Sequence, residues 1–220
     1  MLSRAALVAA AAFAIGGLCA AGCNDPEQGV RSSDPNEVAK SVGELAKRGT
    51  DEAVEQISRA ATHADSMVAT EAVRSLGSMR QPKAVEALRR VAAEEKRPDV
   101  REAAVLELGR QTCDPQVRLL EETLQRDPEP RVRAAAASSL ARLKAWDTLA
   151  LLMDVAEKDP DLMVQSRAVA AVETMIGLKF GYDTQAPLAE RQKALARMRG
   201  IAMTAAATLK QGETRRRGRR

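Results

Sequence analysis

Four valines, Val68, Val100, Val132 and Val164, recur at a spacing of 32 residues, and with them Ala72, Ala104, Ala136 and Ala168, then Leu76, Leu108, Leu140 and Val172. Offsets of four and eight inside each unit place the three positions on one face of a helix, so every unit contains a helix with an apolar stripe. A second helix precedes each one. Its anchors Val85 and Leu88 return as Val117 and Leu120, and again as Leu149 and Leu152. Arg97-Pro98-Asp99, Asp127-Pro128-Glu129-Pro130 and Asp159-Pro160-Asp161 separate the two helices, with Pro stopping one and opening the next. Neither helix can bury its stripe alone, so pairs must stack on neighbouring pairs into an all-α solenoid. The pattern weakens at both ends, as capping units do. Val42 and Leu45 echo Val73 and Leu76, while Val54 and Ile57 open the first full pair. The reading is a lone N-terminal helix, four helix pairs over residues 35–177, and a C-terminal capping segment over 178–210 whose helix runs from Pro187 to about Leu209.

Composition supports helices and argues against chemistry. Aromatic residues make up 2% of the 220 residues, namely Phe13, Trp146, Phe180 and Tyr182, far too few for a sandwich or barrel. One histidine, His63, and three cysteines, Cys19, Cys23 and Cys113, cannot assemble a zinc site, and no phosphate-loop, dinucleotide, nucleophile-elbow or metalloprotease motif is present. No catalytic residue, cofactor or metal is expected. His63, in Thr62-His63-Ala64-Asp65, reads as a turn or capping residue, Cys113 as a small semi-buried residue, and Trp146 as a cover for a seam between repeats.

The segment Pro98-Asp99-Val100-Arg101-Glu102-Ala103-Ala104-Val105-Leu106-Glu107-Leu108-Gly109 resembles the second helix of a HEAT repeat of the phycobilisome-lyase-like type, and Pro130-Arg131-Val132-Arg133-Ala134-Ala135-Ala136 repeats it. The resemblance covers residues 36–177 and implies a HEAT/armadillo-type fold with the second helices on the concave side. It also implies that the arginine after the valine forms a ladder with acids of neighbouring units. Arg101 and Arg133 match that position and Ala69 and Gln165 do not, so the ladder should be central only. Phe180-Gly181-Tyr182-Asp183 with Pro187, Glu190 and Arg191 resembles a C-terminal segment of HEAT proteins from planctomycete-like bacteria, with Met198 where that segment often has Trp. Its expected role is to cover the open end of the core. Sharing the repeat with a lyase does not imply sharing its activity, because one fold hosts many functions.

Residues 1–22 have the layout of a secretory signal peptide: Arg4, an uncharged apolar run from Ala5 to Ala14, then small residues. Ala20-Ala21-Gly22-Cys23 resembles a bacterial lipobox, although Leu18 lies two positions earlier than Cys23 would require of the usual leucine. The expectation is a lipid on Cys23 and an extracytoplasmic protein held at the cell envelope, against the plainer reading of an ordinary cleaved signal or a membrane anchor. Residues 23–34 then read as a flexible tether. At the other end Arg215, Arg216, Arg217, Arg219 and Arg220 form a polybasic tail, taken as disordered over 211–220. Of the net charge of +4, +5 lies in the last six residues, leaving −1 for the rest and −2 once Arg4 is set aside. The body is therefore no nucleic-acid platform, and the tail suits anionic lipid head groups.

Counted at 100° per residue from Val68, the positions facing away from the stripe are Glu71, Arg74 and Ser78, then Ala103, Leu106 and Arg110, then Ala135, Ser138 and Arg142, then Arg167, Ala170 and Thr174. Leu106 beside Ala103 and Ala135, bordered by Arg110 and Arg142, reads as a small apolar strip suited to a partner peptide or helix. The competing reading is that small residues there let neighbouring helices approach closely. Two functions follow: a protein-binding scaffold with an unidentified partner, or an envelope factor acting through lipid and tail with the repeats as a spacer.

Overall fold

The computed structural model describes residues 25–30, 32, 34–111 and 115–217. Its elements are α1 (Pro26–Gly29), α2 (Pro35–Arg48), α3 (Asp51–Ala60), α4 (Ser66–Ser78), α5 (Pro82–Glu94), α6 (Pro98–Leu108), α7 (Pro115–Arg126), α8 (Pro130–Arg142), a 3-10 turn at Trp146–Thr148, α9 (Leu149–Lys158), α10 (Leu162–Ile176) and α11 (Leu188–Arg217). Among the described residues all regular structure is helical. The four pairs are α3/α4, α5/α6, α7/α8 and α9/α10, as the repeat requires. Second helices pack on one another in the order α2, α4, α6, α8, α10, and α3, α5 and α7 pack in a parallel layer with α11 closing against α9.

Local chemistry sets the helix ends. Asp34, Thr50, Asp65 and Asp161 accept backbone N–H bonds at the starts of α2, α3, α4 and α10, and proline occupies the first turn of α2, α5, α6 and α8. Gly177 ends α10 at φ 79°, a left-handed cap that a side chain would strain.

The repeated stripe is the core. Val68, Val100, Val132 and Val164 are at most 2% exposed, while the four alanines beneath them and Leu76, Leu108, Leu140 and Val172 are fully buried. Alanine in the middle of the stripe holds the two layers close. Successive second helices also come close at their C-terminal ends. A Cβ at Gly109 would stand 2.8 Å from the Ser139 Cα, and the Ser139 hydroxyl donates to the Val105 carbonyl at 2.9 Å across the same junction.

Two boundaries differ from the sequence reading. Part of the tether is folded: Asp25 caps the single turn α1, whose Pro26 and Gly29 are buried and which packs on α2. And α11 continues to Arg217 rather than ending near Leu209, so the disordered tail assigned to 211–220 is helical over most of its length. The stretch contains no proline, and Ala, Leu, Lys, Gln, Glu and Arg are good helix formers. Gly212 costs only about 1 kcal/mol, and arginines at a C-terminus complement the helix dipole.

Candidate functional site

The organising polar feature is a ladder of arginines buried between pairs. Arg101 follows Val100 on α6, and its guanidinium grips the Asp127 carboxylate with two bonds of 2.9 Å, Nε to Oδ2 and Nη2 to Oδ1. Nη1 donates to the carbonyls of Glu95 and Lys96, also at 2.9 Å. One repeat later Arg133 binds Asp159 in the same two-bonded way at 2.9 Å, and the carbonyls of Asp127 and Pro128 at 2.9 and 3.3 Å. Each aspartate in turn accepts the N–H two residues ahead, from Glu129 and Asp161, which fixes the turn between the helices. Side-chain exposure is 10% for both arginines and 7% for both aspartates, so water contributes little and the carboxylates raise the arginine pKa values above their already high ordinary value.

The expected ladder was central only, and the structure shows how its ends are made. At the first junction Ala69 stands where an arginine would be, yet the rung exists. Arg97 comes from the following unit, donates from Nη1 to the carbonyls of His63 and Ala64, and holds Glu95 through Nε and Nη2 at 3.0 and 3.2 Å. Residues 63, 64 and 95 precede by 32 the three acceptors of Arg101, at 95, 96 and 127, so Arg97 fills the place of the missing side chain. The Arg97 guanidinium keeps the Glu95 carboxyl below its ordinary range. Sequence inspection missed Arg97 because it lies outside the arginine register, though the spacing of Glu95, Asp127 and Asp159 marks the acid side of the rung. At the last junction Gln165 donates to the Asp159 carbonyl at 2.7 Å and accepts from the Tyr182 hydroxyl at 2.9 Å, ending the ladder without a charge.

The segment after α10 covers the open core. Glu173 accepts the Phe180 N–H and the Lys179 ammonium, both at 2.8 Å, which turns Phe180 inward to 7% exposure. On α11, Leu195, Met198 and Ala202 are buried, with Met198 wholly inaccessible. Arg199 clamps the helix to α9 through Glu157 at 2.7 Å and Asp154 at 2.9 Å, and the same contact lowers the Asp154 pKa.

The outward face of the second helices is more closed than the sequence count implied. Ala103 and Ala135 are buried, at 9% and 6%, and Leu106 is half-buried against the core instead of facing solvent. A second helix within a stack touches a neighbour on each flank as well as its own partner, so residues well off the stripe are covered too. The apolar strip is therefore helix packing. What remains open is polar. Arg74 lies 3.7 Å from Glu71, Arg110 reaches the buried carboxylate of Glu107 at 2.7 Å, and the Ser138 hydroxyl bonds to the Ala134 carbonyl. Arg142 and Arg167 are exposed and have no ion-pair partner among the described residues. On the same face Asp99 accepts the Ser66 hydroxyl, and Glu102 lies 3.8 Å from Arg131.

His63 is a turn residue, its Nδ1 accepting the Asp65 N–H at 3.0 Å. Trp146 is half-buried against the core at the start of the fourth pair. Cys19, Cys23, Cys113, Arg219 and Arg220 lie outside the described residues, and Arg215, Arg216 and Arg217 form the last turn of α11. Among the described residues no cluster of His, Cys, Asp and Glu could hold a metal, and no helix is long and apolar enough to cross a membrane.

No curated protein matches the chain. Among solved structures, a chain of the CpcE and CpcF complex of phycocyanin lyase from Nostoc sp. PCC7120 is similar, with 23% identity and a TM-score of 0.52 over 68% of this chain and 63% of that one. The present chain thus spans less than two thirds of that structure, and the likeness is one of fold. A designed armadillo repeat protein in complex with the peptide (KR)4 aligns with 15% identity and a TM-score of 0.46, over 84% of this chain and 99% of that chain. A family model for HEAT repeats matches residues 24–109 and 117–192, most of the sequence. The chain belongs to the HEAT-repeat family.

Proposed function

We propose that this protein is a binding scaffold of the bacterial cell envelope, held there by a lipid on Cys23 and engaging a partner protein through the outward face of its second helices. The observation that carries the binding half is the charge on that face: Arg142 and Arg167 are solvent-exposed without carboxylate partners, while the acids nearby are already engaged. Surplus positive charge on a rigid, repeat-built surface attracts and orients an acidic segment. Partner recognition thus rests on arginines, and the apolar strip around Leu106 has no part in it. The anchor rests on the apolar run ending in Ala20-Ala21-Gly22-Cys23.

Two measurements test the reading. Mass spectrometry of the native N-terminal peptide should find an acylated Cys23, and an unmodified terminus or one beginning elsewhere refutes the anchor. Arg142→Glu and Arg167→Glu together should abolish capture of the partner in envelope extracts while leaving the melting temperature unchanged. Capture that survives both changes and disappears on deleting residues 215–220 transfers the function to the tail, the reading in which the repeats are a spacer.

A further inference from the structure

The C-terminal cap encloses a pocket of about 480 Å³ between α9, α10, the turn at Tyr182 and the first turns of α11. That size falls among ligand pockets of about 300–1,000 Å³. Leu162, Leu188 and Leu195 supply its apolar walls, and the first two are 43% and 61% exposed at its mouth. Arg191 lines it as well. The Arg191 Nε is buried and has no hydrogen-bond partner, and no carboxylate pairs with its guanidinium among the described residues. The other charged side chains lining the pocket, Glu157 and Arg199, engage each other at 2.7 Å. Arg191 is therefore the one charged side chain of the lining without an opposite charge beside it among the described residues. In the ladder of the same molecule every arginine held between helices grips a carboxylate.

We propose that this pocket binds the C-terminal carboxylate of a partner polypeptide, with Arg191 holding the carboxylate and the leucines taking an apolar last side chain. Gln192, which also lines the cavity and whose side-chain amide has no partner among the described residues, distinguishes a peptide from a free fatty acid. A hydrocarbon tail would strip water from it and return no hydrogen bond, whereas a peptide backbone offers donors and acceptors. The inference rests on the protein-binding reading but uses a different surface from Arg142 and Arg167.

The test is titration of the full chain with an N-acetylated tetrapeptide ending in Leu-Leu, as free acid and as C-terminal amide, with dodecanoate as a third probe. The free acid should bind, and both amidation and Arg191→Gln should weaken it by about ten- to a hundredfold, the scale of a charge-assisted pair. Leu188→Ser, at an exposed lip where folding is not at stake, should weaken it less, and Arg142→Glu should leave it unchanged. Equal binding of acid and amide, indifference to Arg191→Gln, or no peptide binding at millimolar concentration overturns the proposal. Uptake of dodecanoate in place of the peptide, lost in Arg191→Gln, overturns it in favour of a free amphiphile. None of these failures bears on capture through Arg142 and Arg167.

Discussion

Arg133 remains charged between two helix pairs because two carboxylate oxygens and two carbonyls converge on it. Truncating one member of such a pair leaves the other charge buried, so Arg133→Ala should lower stability by about 3–5 kcal/mol. Arg133→Met with Asp159→Asn removes both charges and keeps the turn acceptor, and should lose much less; urea denaturation of the variants decides. The first rung gives a sharper result, because a different side chain performs the same task. Arg97→Ala should destabilise the first junction, and adding Ala69→Arg should restore most of the loss by putting the arginine back in register. Further destabilisation by the second change would mean that Arg97 does not stand in for position 69. Three engaged carboxylates, one of them in this rung, set an acid response. Glu95, Asp99 and Asp154 have folded-state pKa values below their unfolded ones, owing to Arg97, to the Ser66 hydroxyl and to Arg199 respectively. Their contribution is complete above the unfolded values near 4.5 and 3.8 and is lost as pH falls below them through the lowered folded values. Glu95→Gln should flatten that acid limb in a series of melting curves, and an unchanged slope would show that the Glu95 contact is not formed in solution.

At the scale of the helix, the repeat register is a claim about burial. Val132→Asp places an uncompensated charge at a fully buried site and should cost several kcal/mol, whereas Ser138→Asp, two turns away on the outward side, should cost little. Gly109→Ala should cost about 1–3 kcal/mol, since its methyl would meet backbone at Ser139 that cannot swing aside. Equal losses at Val132 and Ser138 in chemical denaturation would show the register to be wrong. Elements and core were legible in the sequence because the stripe repeats four times with proline at the breaks. The outward face was misread at Ala103, Ala135 and Leu106 because a single helical wheel knows one buried side, and stacking on both flanks buries two more. Arg97 escaped because its role is defined by an absent residue at position 69. The pocket beside α11 was not legible, since Tyr182 and Arg191 meet Leu162 only through the tertiary turn that Glu173 and Phe180 enforce.

The whole molecule is a closed stack: α1 and α2 cover one end, Phe180 and α11 the other, and an arginine-lined layer lies open between them. Its functional reading turns on whether that layer faces a partner. A photo-crosslinking amino acid placed at position 138, one turn before Arg142 on α8, and separately at position 122 on the opposite layer, tests this most directly in intact cells. A discrete adduct with an acidic protein is expected from position 138 alone, abolished by Arg142→Glu with Arg167→Glu. Adducts of equal yield from both positions, or an adduct from position 138 that survives the charge reversals, would contradict that reading.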